Sequence, residues 1–210
     1  HMKEAGLPAG VFNYITGPGS EVGEELVLNS NVSGIVFTGS RATGMGMLAK
    51  NFAEQKQKVF VVEMGGKNAA IVTDTANLDD AASGIISAAF GFAGQKCSAL
   101  SRLYVNDSVK EELVSKLLEK LRAMKIGNPL EKGVYLGPVI SENAYKRYVD
   151  AVEKIKVTGK ILYGGQRVNN GLNGFYVEPV IAELAQDSEI VHKELFLPIL
   201  AVVPYKNFDD

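Results

Sequence analysis

Cys97 is the single cysteine of this 210-residue chain and the side chain best suited to covalent chemistry. It stands between Lys96 and Ser98, among small residues that follow an apolar segment. A thiol reacts as its thiolate, which a neighbouring cation or an array of backbone N–H groups stabilises. The pattern therefore favours a nucleophilic Cys97 that a substrate can reach. The alternative is a buried cysteine that serves as a small hydrophobic residue.

Glu63 is the best candidate for a general base. It follows a predicted apolar strand at 59–62 and precedes Gly65 and Gly66, where partial removal from water would strengthen the carboxylate as a base. The alternative is a strand-end glutamate that faces water. His192 lies in a polar stretch without the further residues of a cysteine–histidine dyad, so a carboxylate is favoured over an imidazole.

Composition excludes several classes of function. The chain has 22 basic and 24 acidic side chains, so the basic excess of a nucleic-acid-binding surface is missing. No apolar run approaches the ~20 residues that a membrane span requires. A single cysteine can form neither an intramolecular disulfide nor a thiolate zinc cluster. We therefore expect a cytoplasmic protein with no nucleic-acid partner, no membrane association and no metal site.

Hydrophobic periodicity predicts alternating strands and helices in the first part of the chain. Strands are expected at 11–15 and 34–38, each followed by a glycine-bearing turn, at 17–23 and 38–44, that opens a helix. Such βα units predict a parallel sheet, and the free N–H groups at each helix start are candidate phosphate ligands. A helix entry shaped only for packing is the alternative, since the first turn lacks the G-x-G-x-x-G spacing.

A second domain is predicted to begin at residue 64, with an α/β pattern of its own. Its helices are expected at 78–90, from a capping box at Ser108–Glu111 onward, and at 142–156. Its strands are expected at 69–72, 102–105, 161–163 and 199–203. The fold class predicted for the whole chain is therefore α/β.

Five segments of the chain together resemble the aldehyde dehydrogenase family. They are Leu7–Val11, Phe37–Ser40 with Gly44, Glu63–Lys67, Gly94–Cys97, and Glu194–Phe196 with Pro198. Their separations match the family as well, with 34 positions from Glu63 to Cys97 and 97 from Cys97 to Glu194. The stretches 63–69 and 94–105 are most similar to the 1-pyrroline-5-carboxylate dehydrogenases of proline catabolism, which oxidise glutamate semialdehyde.

The resemblance implies a partial Rossmann-like nucleotide-binding unit over residues 3–63. The α/β catalytic domain would follow over 64–210, truncated at its C-terminal end. The implied cofactor is NAD, with NADP as an alternative. The implied cofactor contacts are Gly19, Thr38, Gly39, Ser40, Gly44, Met64, Glu194 and Phe196. Of these, Glu194 would hold the hydroxyls of the nicotinamide ribose, and Phe196 would pack against the ring.

The resemblance also implies a mechanism and its partners. Cys97 would attack the aldehyde to form a thiohemiacetal, hydride transfer to NAD would leave a thioester, and Glu63 would activate the water that hydrolyses it. The backbone N–H of Cys97 would be one oxyanion donor. Ser98 would contact the substrate, unless it is only a turn residue. The implied partners are a small aldehyde and, in the full-length enzyme, further copies of the same subunit.

The chain covers less than half of the family's length, which keeps other functions open. The family's oxyanion-hole asparagine lies upstream of Lys3, so we expect weak or no turnover from these residues alone. One alternative is a structural or interaction module without turnover. Others are a cysteine ester hydrolase using Cys97 and Glu63, or a dehydrogenase for another semialdehyde. Leu197 also replaces the glycine usual in the family, in the segment that carries Glu194.

Overall fold

The chain divides into two structural units, residues 1–65 and 66–210. The computed structural model describes residues 1–53, 58–169 and 171–208. The first unit contains a two-stranded sheet and the second a five-stranded sheet, with helices packed against both. The predicted α/β class is thus confirmed. Within the described ranges, a helix with the length and hydropathy of a membrane span is absent.

The first unit is built on a β–α–β crossover. A π-helical turn (Gly19–Gly23) runs into α1 (Glu24–Leu28), followed by β1 (Gly34–Gly39), α2 (Arg41–Ala53) and β2 (Val59–Met64). β2 pairs parallel with β1, as expected when a helix connects two strands. This confirms the predicted strand at 34–38 and the helix that follows it.

The predicted strand at 11–15 is wrong. This segment has no regular structure, and Val11, Phe12, Tyr14 and Ile15 are exposed. A strand needs neighbouring backbone to satisfy its N–H and C=O groups, and none of the described strands pairs with this segment. An apolar sequence pattern without a pairing partner therefore does not form a strand, and only one of the two predicted βα units is present.

The second unit is a mixed sheet with its helices packed around it. Its elements are β3 (Asn68–Val72), α3 (Leu78–Phe90), β4 (Leu100–Asn106), α4 (Asp107–Arg122), α5 (Glu142–Thr158), β5 (Gly159–Tyr163), β6 (Val180–Leu184), α6 (Glu189–His192) and β7 (Ile199–Tyr205). The strand order across the sheet is β3-β4-β7-β6-β5. β5 is antiparallel to β6, and the other neighbours are parallel.

The core of the second unit fixes the helix that leads to Cys97. Leu113, Leu117 and Leu121 repeat every four residues along α4 and are buried, so one side of this helix faces the core. Phe90, the last residue of α3, is fully buried as well. Burying a side chain of this kind contributes about 1.5–3 kcal/mol. The end of α3 is therefore held in the core, and the turn that follows it begins from this fixed position.

Most predicted elements of the second unit are confirmed, several of them with shifted ends. The helix at 78–90 matches α3, the helix at 142–156 lies within α5, and the four predicted strands lie within β3, β4, β5 and β7. The capping box at Ser108 is wrong, because α4 begins at Asp107 and its N-cap is Asn106, whose Oδ1 accepts the Ser108 N–H at 3.0 Å. Asparagine caps a helix as well as serine does. β6 and α6 were not predicted.

Candidate active site

Cys97 follows a turn with an unusual backbone. After α3 ends, a short 3₁₀ turn (Gly91–Gly94) contains Phe92 and Ala93 with φ of 56° and 55°. Residues with a Cβ rarely adopt this left-handed region, and they keep it only where surrounding contacts hold it. Beyond this turn, Cys97 is exposed. The alternative of a buried cysteine therefore does not fit the structure.

Gly94, the last residue of this turn, packs against the segment that carries Glu194 and Phe196. Its φ is +66°, and an added Cβ would collide with the Leu197 carbonyl oxygen, so glycine is required on both counts. Leu197 itself is buried in the core, and Phe196 before it has a φ of 58°. The leucine at position 197 is thus accommodated by burial, and its segment lies directly against the turn that precedes Cys97.

Two amide side chains fasten the turn that contains Cys97. Asn68 Nδ2 donates to the Cys97 carbonyl at 2.8 Å and to the Ala99 carbonyl at 3.0 Å. Gln95 Oε1 accepts the Ile140 N–H at 2.9 Å. Neither amide was predicted from the sequence to have a role, because contacts between residues 29 and 45 positions apart leave no local pattern.

A cavity of about 20 Å³ lies beside the Cys97 turn, and charged side chains take part in its lining. Lys67, Lys96, Glu194 and Phe196 are among the residues that line it. Such a volume holds about one water molecule. The structure therefore brings Glu194 and Phe196, two of the predicted cofactor contacts, next to residues that flank Cys97 in the chain.

Lys67, one of the residues that line this cavity, has a perturbed pKa. Burial, and then the positive charge of Arg102, lowers the pKa of Lys67 to about 8, while Glu194 opposes the shift. Arg102 Nε is buried and has no hydrogen-bond partner among the described residues. Perturbed pKa values of this kind concentrate at functional sites. Lys67 was not predicted as a site residue, although its place directly after Gly66, in one of the resembling segments, was an available signal.

The predicted nucleotide-binding residues of the first unit meet at one edge of its sheet. Thr38 lies opposite Glu63, and Gly39 lies opposite Met64, in the parallel pair of strands. All four stand at the carboxyl ends of β1 and β2, the edge where open α/β sheets bind ligands. Thr38, Gly39 and Glu63 are exposed, and Met64 is half-buried.

Ser40 and Gly44 shape the start of α2. The Ser40 hydroxyl oxygen accepts the Thr43 N–H at 3.2 Å and lies 2.8 Å from Thr43 Oγ1, so serine caps the helix. Gly44 is buried, and an added Cβ would collide with the Met64 side chain. Packing therefore accounts for Gly44. The exposed first turn of α2 still has N–H groups without a helical acceptor, which suits an anion.

The remaining predicted residues occupy exposed positions. Gly19 begins the π-helical turn, and an added Cβ there would meet open space, so packing does not require glycine. Ser98 is exposed directly after Cys97. Among the residues that the structure describes, no group of three or more His, Cys, Asp or Glu side chains could hold a metal ion. Glu63 belongs to the first unit and Cys97 to the second, and their approach stays a prediction.

Comparisons with known proteins agree on one family. The model of the aldehyde dehydrogenase family matches residues 1–210. A 1-pyrroline-5-carboxylate dehydrogenase from Anoxybacillus flavithermus is 38% identical, over 99% of this chain and 41% of its own length. An alpha-ketoglutaric semialdehyde dehydrogenase from Bacillus subtilis is 38% identical, over 100% of this chain and 43% of its own.

A solved structure shares the fold. The crystal structure of 1-pyrroline-5-carboxylate dehydrogenase from Thermus with bound NAD matches with a TM-score of 0.91 and 34% identity. The match covers 98% of this chain and 40% of that one. The chain thus spans about two-fifths of the length of the relatives that it matches.

Proposed function

Because the chain belongs to the aldehyde dehydrogenase family, we propose that this protein oxidises an aldehyde to a carboxylic acid with NAD as the hydride acceptor. One observation carries the proposal. Cys97 is exposed on a turn whose main chain is fastened, beside the segment of Glu194 and Phe196. A thiol nucleophile has to be both reachable and held in place, and this turn meets both needs. NADP is the alternative cofactor.

In the proposed reaction, Cys97 Sγ forms a bond to the aldehyde carbon. The carbonyl oxygen becomes an oxyanion that the Cys97 N–H stabilises, and this N–H has no other acceptor among the described residues. NAD, when bound, supplies an acceptor for the hydride of the same carbon. Water then attacks the thioester on Cys97, its proton passes to Glu63, and the thiolate leaves.

The main-chain and side-chain groups available at both parts of the proposed site suit a dinucleotide. Gly39, Ser40 and the exposed start of α2 offer N–H and hydroxyl donors for a pyrophosphate, with Thr38, Gly44 and Met64 beside them. We assign Gly19 to the adenine side. The Glu194 carboxylate would accept hydrogen bonds from the nicotinamide ribose hydroxyls, and the exposed ring of Phe196 would pack against the nicotinamide.

The proposed substrate is glutamate semialdehyde. The similarity to a protein named 1-pyrroline-5-carboxylate dehydrogenase supports it, and the equally identical alpha-ketoglutaric semialdehyde dehydrogenase makes another semialdehyde the alternative. Ser98 is exposed beside Cys97, where its hydroxyl can donate a hydrogen bond to a substrate. We further propose a cytoplasmic location and assembly into a homo-oligomer.

The decisive experiment uses the full-length enzyme and follows nucleotide reduction and the mass of the Cys97 peptide with glutamate semialdehyde and simple aliphatic aldehydes. Cys97→Ser should abolish both nucleotide reduction and the mass increase of the peptide that contains residue 97. Glu63→Gln should accumulate the acyl-enzyme and lower turnover about 10²- to 10⁴-fold, because the water loses its base. Glu21→Gln, at another exposed glutamate of the first unit, is the matched control. Normal turnover in Glu63→Gln would remove Glu63 from the base role.

Ester hydrolysis without a nucleotide is the second candidate, because an exposed Cys97 needs no cofactor for acyl transfer. Steady hydrolysis of p-nitrophenyl acetate, without oxidation of any aldehyde, would favour this function. A structural or interaction module would show neither acylation nor oxidation.

A further inference from the structure

The side-chain amide of Asn68 spans the turn that contains Cys97. It donates to the carbonyls of Cys97 and Ala99, at 2.8 and 3.0 Å. Both partners are acceptors only, so only the NH₂ end of the amide can face them. Asn68 is also the first residue of β3 and pairs with Leu100, the first residue of β4. The amide therefore ties the turn to the end of the five-stranded sheet.

Fastening the Cys97 carbonyl constrains the thiol itself. The peptide group is planar and trans, so a fixed oxygen fixes the plane that contains the Cys97 Cα and directs the Ser98 N–H to the opposite side. Sγ is two bonds from that Cα. The sulfur then moves mainly by rotation about the Cys97 Cα–C and Cα–Cβ bonds, and rotation about the latter is limited to staggered rotamers.

Gly66 approaches the same carbonyl from the chain segment before Asn68. An added Cβ at residue 66 would collide with the Cys97 carbonyl oxygen and would lie 3.3 Å from Asn68 Nδ2. The missing side chain therefore leaves the room in which Asn68 and Cys97 form their hydrogen bond. Gly66 and Asn68 together hold the peptide group between Cys97 and Ser98 in place.

We propose that Asn68 is a positioning residue for Cys97, which holds the thiol in the orientation for attack on a carbonyl carbon by fixing the Cys97 and Ala99 carbonyls. The proposal rests on the proposed function only in taking Cys97 as the nucleophile. Attack on a carbonyl needs a defined approach, and a misplacement of about 1 Å can cost about 10²-fold. Alkylation by a small haloacetamide needs only an exposed thiolate. Comparing the rates of acylation and alkylation of Cys97 therefore distinguishes a loss of thiol positioning from a loss of thiol exposure.

The experiment compares acylation by p-nitrophenyl acetate with alkylation by iodoacetamide, in the wild-type chain and in Asn68→Ala. In acylation, Sγ bonds to the acetyl carbon and one p-nitrophenolate leaves for each thioester formed. Cys97 is the single cysteine, so alkylation and thioester formation are both assigned to it. We expect Asn68→Ala to lower the acylation rate about tenfold and to change alkylation less than about twofold.

Two further variants sharpen the test. Asn68→Asp keeps the shape but turns acceptor oxygens toward two carbonyl oxygens, so the ratio of acylation to alkylation should fall further than in Asn68→Ala. Asn106→Asp is the matched control, because Asn106 Nδ2 also donates to a main-chain carbonyl, that of Lys206 at 3.2 Å, at the far end of β4. It should leave both Cys97 rates within about twofold of wild type.

Amide exchange of the peptide 96–99, in which the Ala99 N–H donates to the Lys96 carbonyl at 3.1 Å, checks the physical cause when it is read by mass spectrometry. Asn68→Ala should exchange there about tenfold faster, with the rest of the second unit unchanged. Unchanged acylation, an equal loss of acylation and alkylation, or faster exchange throughout the unit would each overturn the proposal. If the wild-type thiol is not acylated at all, the proposed function has failed. If exchange at 96–99 is also unchanged in Asn68→Ala, the role of Asn68 in holding the Cys97 turn is rejected as well.

Discussion

The two parts of the proposed site are positioned in different ways. In the first unit, Thr38 and Glu63 stand at the ends of paired strands, and Ser40 caps the next helix. In the second unit, Cys97 lies outside regular structure and is held by Asn68, 29 positions earlier. Paired strands and a helix start therefore place the proposed nucleotide-binding edge, whereas side-chain hydrogen bonds to an irregular turn place the proposed nucleophile.

The two units also differ in how much apolar surface they bury. Among the described residues of the first unit, Val27 is the one buried hydrophobic side chain, while Val36 and Val59 on its strands are 81% and 71% exposed. The second unit has a continuous core that runs from Val72 to Val203. Since burial of apolar surface is the dominant favourable term in folding, the second unit should supply most of the stability of this chain.

The largest expected effect comes from truncating the core that supports the Cys97 turn. Phe90 is fully buried at the end of α3, so Phe90→Ala should lower the free energy of unfolding by about 3–5 kcal/mol. Phe52 in α2 is 67% exposed, and Phe52→Ala should change it by less than about 0.5 kcal/mol. Urea unfolding followed by circular dichroism measures both. Similar losses at the two positions would contradict the contrast between the units.

An intermediate effect is expected where the turn meets the later segment. Gly94→Ala places a Cβ on a left-handed residue and against the Leu197 carbonyl, which should cost about 2–3 kcal/mol. Gly171 has a φ of +75° with open space around it, so Gly171→Ala should show the backbone cost alone, about 1 kcal/mol. The same urea titration gives both values. If Gly171→Ala costs as much as Gly94→Ala, close packing at Gly94 adds nothing.

The smallest expected effect is a pH dependence from Lys67. Its pKa is about 8 in the folded chain and near its ordinary value of 10.5 in the unfolded chain, so between these pH values the unfolded state binds more protons. A pKa difference between about 8 and 10.5 corresponds to about 3 kcal/mol. Because the half-buried Lys67 is partly screened by solvent, we expect the free energy of unfolding to rise by about 1–2 kcal/mol as the pH goes from about 8 toward 10.5. Thermal melts across this range should lose the rise in Lys67→Met and keep it in Lys96→Met. A rise that persists in Lys67→Met would assign it to another group.

Secondary structure was predictable where burial enforces the pattern. The helix at 78–90 has its ends as expected, because Asn77 caps its start and its apolar side faces the core. The strand at 11–15 failed because no described strand pairs with it. β6 (Val180–Leu184) was missed because a short apolar run cannot be told from a buried helical segment by its sequence alone, and its pairing with β5 and β7 is what makes it a strand.

The sequence by itself determined which groups are available for chemistry in this protein. They are a single thiol among small residues, a carboxylate after an apolar strand, and the main chain of glycine-bearing turns at helix starts. These follow from residue type and local spacing. Only the tertiary structure decided that Glu194 and Phe196 lie beside the neighbours of Cys97, and that Asn68 fastens its main chain. The physical reason is the sheet, which sets β3, β4 and β7 side by side and so brings together hydrogen-bonding and packing partners that are far apart in the chain.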